Sequence, residues 1–590
     1  MLKDDTLANV LYVDLSKKQS WVERRQDLFD KYIGGVGVGI QLLHEECPEG
    51  CDAFGAQNPI IFAVGPLNGL FPVASKTITL FKSPHTGNLG ESHAGGRSAI
   101  AIRMAGYGAI VIRGASEIPL YLAIDGSQVH FRDASALWGM RSVITAGRVI
   151  RGRETSAGFR TIMRIGRAGE KLIPYAGVAT ETYRHFGRLG LGAVFGSKKL
   201  KALVVSGKCS LPVSDPKLYQ KIYDEIYQAA VNTPAMKKYH DLGTPENVLP
   251  LNKIGALPTR NLKDAQFEGA SQISGEAFAE HYLGRRLACA HCPVACIHLA
   301  ALREPYGDED FFYKTSMIAY DYEPLYALGP MLGISDARGL LKLLEKVDEV
   351  AVDAMSTGVI LAWATEAQEQ GLISEKETAG IKLSWGDYTS YLKAIPLIVE
   401  QPNDFYKALA QGVIHAASIY GGTDFALAFG RNEMPGYHTG PAQYVGTLIA
   451  TRHHHCDNAG YSVDQKVLVK EKLTPRELAA TLLKEERWRQ ILTSLAICLF
   501  AREIYKPDLV SRALQVAGFD IPPEDLHRLG EEIHSEKYRF KFREGFSLDD
   551  YHLPKRIFET PSAVGALDEK YVRQTIQQVK QILVKKQGKT

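Results

Sequence analysis

Residues 287–296 read LACAHCPVAC and put three cysteines, Cys289, Cys292 and Cys296, into eight consecutive positions. Thiolates are soft ligands that suit iron–sulfur clusters and zinc. A 4Fe–4S cluster takes four, usually three close together and one distant in the chain. The close three must wrap one corner of the metal site after another, so this segment is expected to be a loop. Pro293 inside it disfavours a continuous helix. Spacing alone leaves three readings open: a cluster, a structural zinc completed by His291 or His298, or buried free thiols. The remaining cysteines are Cys47, Cys51, Cys209, Cys456 and Cys498. Eight in a long chain with no secretory signal do not read as a disulfide framework. Cys498 lies in the apolar run LAICLF, a setting suited to a cluster ligand, but spacing does not separate it from Cys456.

The 590-residue length exceeds what one core can serve, so two to four domains are expected. The hydrophobic share of 45% and charged share of 23% are those of an ordinary globular protein. A formal net charge of +3, with no basic run interleaved with aromatics, gives no ground for a nucleic-acid partner. The N-terminus, MLKDDTLANVLYVDL, lacks a basic-then-apolar signal pattern, and no apolar run approaches a membrane span. A cytoplasmic protein is expected.

Up to about residue 210 the chain carries short apolar runs broken by glycine: LYVDL at 11–15, PIIFAV at 59–64, AIVI at 109–112, LYLAI at 120–124 and ALVV at 202–205. Such runs suit strands. The pattern changes at Asp215-Pro216, an N-cap followed by proline at the first helical position. Leu218, Ile222, Ile226 and Ala229 then recur at helical spacing, as do Leu340, Leu341, Leu344 and Val347. Thr474-Pro475-Arg476-Glu477 has the form of a capping box, predicting a helix that reaches Cys498. The terminal KQILVKKQGKT reads as a fraying basic tail. The expected class is α+β multidomain: a β-rich domain over 1–210, a helical domain carrying the cysteine motif over 211–419, and a helical domain over 420–590.

Three glycine-rich segments are candidate anion sites: 34–39 (GGVGVG), 87–97 (GNLGESHAGGR) and 187–192 (GRLGLG). Glycine lets backbone N–H groups approach an anion and supplies positive φ. Arg97 and Arg188 could add bidentate contacts. Plain turn glycines remain an equal reading for the first segment. A nicotinamide site is disfavoured, because no βαβ unit with a ribose-binding acid accompanies the glycines.

Taken in order, these segments resemble the tungsten- or molybdenum-containing aldehyde:ferredoxin oxidoreductase family over nearly the whole chain. The resemblance rests on YIGGVGVG (32–39), GPLNG (65–69), KSPHTG (82–87), Gly95-Gly96, Ala105-Gly106-Tyr107, IGRAGE (165–170) and GRLGLGAVFGSKKLKA (187–202). It continues with the three clustered cysteines, Tyr322-Glu323, Asp353 with Ser356-Thr357-Gly358, REGF (543–546) and Leu553-Pro554. It implies a β-rich first domain carrying a bis-pterin cofactor, with tungsten or molybdenum on four dithiolene sulfurs and Mg²⁺ bridging the pterin phosphates. A 4Fe–4S cluster would be held by Cys289, Cys292, Cys296 and Cys498. By position in the family motifs, Lys76, His93, Arg188 and Leu189 would contact one pterin and its phosphate bridge and Asp353 the other, with Gly95, Gly96, Gly190, Thr493 and Ile497 also cofactor-binding. Glu323 falls on the family's active-site glutamate, and His455 is chosen from His453, His454 and His455 as its histidine. The implied reaction oxidises an aldehyde to a carboxylate and passes electrons to ferredoxin or a ferredoxin-like subunit. The protein would act as a homo-oligomer or within a multisubunit complex.

Some positions depart from the family. Thr493 stands where an aspartate is usual, Ala496 for a glycine, Lys76 for an arginine and His93 for an asparagine. The usual ending, with a tyrosine pair and an Arg-Gly-Trp segment, is missing after Val564. These departures mark a divergent branch and keep two alternatives in play. One is the catalytic subunit of a low-potential reductase, such as an aromatic acyl-CoA reductase. The other is a non-catalytic iron–sulfur electron-transfer module.

Overall fold

The structure, a computed structural model, describes residues 1–156, 158–307 and 309–587. The chain divides into two compact units. The first comprises Met1–Lys237, Ala288–Val294 and Glu486–Phe546; the second comprises Lys238–Leu287, Ala295–Glu485 and Ser547–Thr590.

The first unit is built on two six-stranded sheets. One contains β1 (Asn9–Asp14), β2 (Gln19–Arg24), β3 (Ile60–Ala63), β4 (Thr77–Lys82), β5 (Leu89–Ala94) and β6 (Ala109–Arg113), in the order β2-β1-β6-β3-β4-β5. The other contains β7 (Leu120–Asp125), β8 (Gln128–Asp133), β9 (Phe159–Ile165), β10 (Val178–Ala179), β11 (His185–Phe186) and β12 (Leu200–Gly207), in the order β11-β10-β9-β12-β7-β8. Each sheet has one parallel pair, β1 with β6 and β7 with β12; its other pairs are antiparallel. Strands β3, β4 and β12 are buried along their whole length. Both of their faces are covered, which is why they read as runs without alternation. The edge strand β2 is polar and largely exposed, as an unpaired edge should be.

Two sequence expectations change here. The segment 34–39 is not a plain turn; it opens the helix Gly35–Glu46. A Cβ on Gly35 would lie 2.3 Å from the Thr493 carbonyl oxygen, and one on Gly39 would lie 2.3 Å from Leu80 Cδ1. The glycines serve close packing, and Gly37 N–H donates to Ser494 Oγ at 3.2 Å. The helix Pro475–Ser494 also stops four residues short of Cys498. Ala496 adopts φ +56°, and Ile497 N–H reaches back to the Leu492 carbonyl at 2.9 Å. This left-handed closure ends the helix and leaves Cys498 in a loop.

The second unit is mainly helical, with the helices Tyr322–Leu328, Ala337–Val350, Ala354–Glu369, Tyr388–Glu400 and Pro441–Ile449 among its elements. It also holds a three-stranded antiparallel sheet that the helical reading missed: β13 (Leu283–Leu287), β14 (Ile297–Tyr306) and β15 (Glu309–Tyr320). The capping box forms reciprocally: Thr474 N–H donates to Glu477 Oε2 at 2.8 Å, and Glu477 N–H to Thr474 Oγ1 at 3.3 Å. The tail expectation is corrected as far as Gln587, since the helix Glu569–Gln587 continues through it with Ile576, Val579 and Leu583 buried. Gly588–Thr590 lie outside the described residues. No helix among the described residues is long and apolar enough to cross a membrane.

Candidate functional site

Three loops of the first unit meet around the clustered thiols. Residues 288–296 form no helix or strand, as Pro293 predicted. Ala290 N–H donates to the Gly96 carbonyl at 2.8 Å, and Val73 N–H to the His291 carbonyl at 3.0 Å. Cys498 N–H donates in turn to the Val73 carbonyl at 3.0 Å, and Lys76 N–H to the Ala496 carbonyl at 3.0 Å. Cys289, Cys292 and Cys498 are therefore presented by segments tied to one another through 73–76. Cys296 belongs to the second unit. Gly95 lies directly beneath: a Cβ there would be 2.8 Å from Cys289 Sγ and 3.4 Å from Lys76 Nζ.

A second group of loops in this unit gathers the other glycine-rich segments. Leu189 and Gly190 take φ +69° and +87°, and Ser83 Oγ donates to the Leu189 carbonyl at 2.8 Å. A Cβ on Gly190 would lie 2.1 Å from the Pro174 carbonyl oxygen, so only glycine fits. Gly96, at φ +100°, leaves the same kind of space beside Thr182. Arg188 is buried. Thr86 Oγ1 and Asn88 Oδ1 are buried without hydrogen-bond partners among the described residues. Such atoms are what a bound polar ligand would satisfy.

His93 points its Nε2 at Glu91 Oε1, 2.7 Å away, and Lys537 Nζ lies 2.6 Å from Glu91 Oε2 and 3.0 Å from Gln490 Oε1. The side chains of Glu91 and Lys537 are each 1% exposed. The sequence reading named His93 but gave no reason to find Glu91 or Lys537. Thr493 Oγ1 donates to the carbonyls of Arg489 and Gln490 at 2.8 and 3.2 Å, so its hydroxyl hydrogen stays on its own helix. Ile497 is buried.

In the second unit, Glu323 stands in the first turn of the helix Tyr322–Leu328. Tyr437 donates its hydroxyl to Glu323 Oε1 at 2.9 Å, and His455 Nε2 lies 3.1 Å from the same oxygen. Tyr437 also stacks on Tyr461, with ring centroids 4.7 Å apart, and its ring lies 4.9 Å from that of His455. The three histidines thus separate. His453 is buried against Gly430, His454 accepts the Cys456 N–H at Nδ1 (3.1 Å), and His455 meets the carboxylate. Arg452 pairs with Asp457 across the same turn.

Burial alone would raise the Glu323 carboxyl, but the hydrogen bond and charge of His455 outweigh it and hold it below the ordinary value. Burial would lower His455; instead Cys456 and Glu323 raise it to about 9. Among the described residues, three metal-ligating atoms come within 4.8 Å of one another only at His454, His455 and Cys456. In the sequence Cys456 enters only as an alternative to Cys498, and Tyr437 not at all. Cys456 was signalled by its place in HHHC; Tyr437 had no signal.

Asp353 caps the helix Ala354–Glu369, accepting from the N–H groups of Met355 and Ser356 at 3.3 and 3.2 Å. Ser356 Oγ lies 2.6 Å from Asp353 Oδ2 and 2.7 Å from Glu433 Oε2, so this carboxylate belongs to a buried network.

Comparison with known proteins matches residues 10–207 to the family model "Aldehyde ferredoxin oxidoreductase, N-terminal domain" and residues 221–584 to "Aldehyde ferredoxin oxidoreductase, domains 2 & 3". The chain is 32% identical to a tungsten-containing aldehyde ferredoxin oxidoreductase of Thermococcus kodakarensis, over 94% of this chain and 92% of the relative. It is 31% identical to the Pyrococcus furiosus protein of the same description, over 92% and 90%. It is also 32% identical to the WOR-like subunit of a P. furiosus aliphatic sulfonate oxidoreductase, over 69% and 66%. Among solved structures, the active-site complex BamBC of benzoyl coenzyme A reductase, bound to 1,5-dienoyl-CoA, matches with a TM-score of 0.82. It shares 19% identity and covers 98% of this chain and 94% of that one.

Proposed function

The chain belongs to the aldehyde ferredoxin oxidoreductase family, and on that premise we propose that it is a tungsten- or molybdenum-dependent enzyme oxidising an aldehyde to a carboxylate. Its electrons would leave through a 4Fe–4S cluster to ferredoxin or a ferredoxin-like subunit in the cytoplasm. The observation that carries this reading is the convergence of His455 and Tyr437 on one oxygen of Glu323.

The residues fit the implied cofactors. Cys289, Cys292 and Cys498 lie on loops tied through Val73 and would hold the cluster, with Cys296, four residues beyond Cys292, as the further thiol of the motif. In the first unit, Lys76, His93, Arg188 and Leu189 would hold one pterin with its phosphate and Mg²⁺, and Gly95, Gly96, Gly190, Thr493 and Ile497 would also contact the cofactor. In the second unit, Asp353 would hold the other pterin. We assign the cofactor-binding role to 1–210, the cysteine motif to 211–419 and the fourth cysteine to 420–590.

When bound, the metallopterin supplies a two-electron acceptor and the cluster a one-electron exit. The chain supplies proton handling. Glu323 is ionised, so its Oε1 can take a proton from water adding to the aldehyde carbon. His455 keeps the carboxylate charged until then, and Tyr437 fixes its rotamer. The side chain of Glu323 is 19% exposed, which leaves a path for that proton. Glu323→Gln should lower turnover by about 10²- to 10⁴-fold with metal content intact. Full turnover in that variant would remove Glu323 from the mechanism.

The likeness in fold to the benzoyl coenzyme A reductase subunits favours one second reading, a catalytic subunit of a low-potential reductase complex acting on an acyl-CoA. Electron-transfer subunits co-purifying with the protein, together with acyl-CoA turnover and no aldehyde turnover, would select it.

A further inference from the structure

The proton-handling scheme gives no task to Cys456, the residue following His455. Glu323 holds His455 through Nε2 at 3.1 Å, and Tyr437 holds Glu323 at 2.9 Å. The other ring nitrogen, Nδ1, is buried and has no hydrogen-bond partner among the described residues. A ring nitrogen of His455 and Cys456 Sγ lie within 4.8 Å of each other. The turn that carries them is fixed on both sides, by the Cys456 N–H to His454 Nδ1 bond at 3.1 Å and by the Arg452–Asp457 pair. Cys456 itself is partly exposed.

Thiol, imidazole and carboxylate in that sequence form the arrangement of a nucleophile, its base and the group orienting the base. A cysteine that merely fills a core has apolar neighbours; this one has an imidazole, a carboxylate and a guanidinium. Burial would raise the thiol, yet the charge of the adjacent His455 more than offsets it and brings it below its ordinary value.

We propose that Cys456 is a second reactive group of this site, adding reversibly to the carbonyl carbon of an aldehyde to hold it as a thiohemiacetal. The thiolate electron pair forms the new C–S bond, the C=O π bond breaks, and the carbonyl oxygen takes the proton that His455 carries. No electrons are gained or lost, so no oxidant is needed, and reversal restores the free aldehyde. The proposal rests on the reading that aldehydes enter beside Glu323, and it deepens that reading by giving the substrate a covalent anchor.

The test uses the anaerobically isolated holoenzyme without an electron acceptor. Iodoacetamide is added in limiting amount, with and without acetaldehyde, and alkylated cysteines are mapped by peptide mass spectrometry. Cys209, which is exposed, is the internal reference. The expected result is that Cys456 reacts at least tenfold faster than Cys209, that acetaldehyde slows Cys456 alone, and that His455→Gln removes the advantage. In parallel, carbonyl-¹³C acetaldehyde should give a bound sp³ carbon signal that Cys456→Ser abolishes. Alkylation of Cys456 no faster than Cys209, or no slowing by acetaldehyde, would overturn the proposal. Aldehyde turnover is measured separately on the same preparation. If turnover persists while these results fail, the anchor is refuted and the oxidoreductase reading stands; if turnover is absent, that reading itself has failed.

Discussion

Gly95 offers a sharp test of where the thiols sit. Its φ lies outside the left-handed region, so Gly95→Ala carries no backbone penalty of that kind. The new Cβ would nevertheless lie 2.8 Å from Cys289 Sγ and 3.4 Å from Lys76 Nζ. Comfortable non-bonded separations are about 3.5–4.0 Å, so one partner must retreat by about 1 Å. The lysine end is flexible and can move. The cysteine is short, and its loop is tied by the Ala290 to Gly96 and Val73 to His291 hydrogen bonds. Metal–ligand distances tolerate only about 0.2 Å. Folding should lose about 1–3 kcal/mol, the usual cost of one added carbon in a packed site. Cluster retention should suffer far more. Iron per chain and the visible absorption of the cluster should both fall well below wild type, while a denaturant midpoint shows the fold retained. Gly95→Ala protein with full iron content and an unchanged spectrum would refute the placement of Cys289 as a ligand.

Other consequences concern buried charge. Lys537→Met removes the ammonium 2.6 Å from the Glu91 carboxylate, whose side chain is 1% exposed, and should cost about 3–5 kcal/mol in chemical denaturation. Adding Glu91→Gln to that variant should return part of the loss; a further loss on adding it would contradict the pairing. The His455 pKa is raised to about 9 from an ordinary 6.5, so the fold favours its protonated form. That contribution is complete below the unfolded value and drains away as pH rises through about 9. The gap in thermal midpoint between wild type and His455→Gln should therefore narrow as the medium becomes alkaline. A gap that widened would reverse the assignment.

Local physics made part of this architecture readable in advance. Runs such as IIFA in β3 and LYLAI in β7 have both faces covered, so hydrophobicity alone marked them. Asp215-Pro216 and Thr474–Glu477 act within a turn of themselves, and both start helices as expected. What escaped depends on partners far away in the chain. A helix starting at Gly35 is disfavoured by propensity and exists because residues 493–494 pack on it. The left-handed Ala496 explains why a glycine is usual there in the family, yet alanine gave no sign that the helix would break before Cys498. Tyr437 meets Glu323 across 114 residues, and Lys537 meets Glu91 across a still longer span, with no periodic pattern linking either pair. The ordered family motifs supplied His455 as a choice among three neighbours, but its distinction lies in the single contact to Glu323.

Elemental analysis of protein purified anaerobically from its native host tests the central claim most directly. The account predicts about four irons per chain together with one tungsten or molybdenum and extractable pterin. Iron with neither heavy metal nor pterin would make the chain an electron-transfer module, and zinc without iron would contradict the cluster altogether.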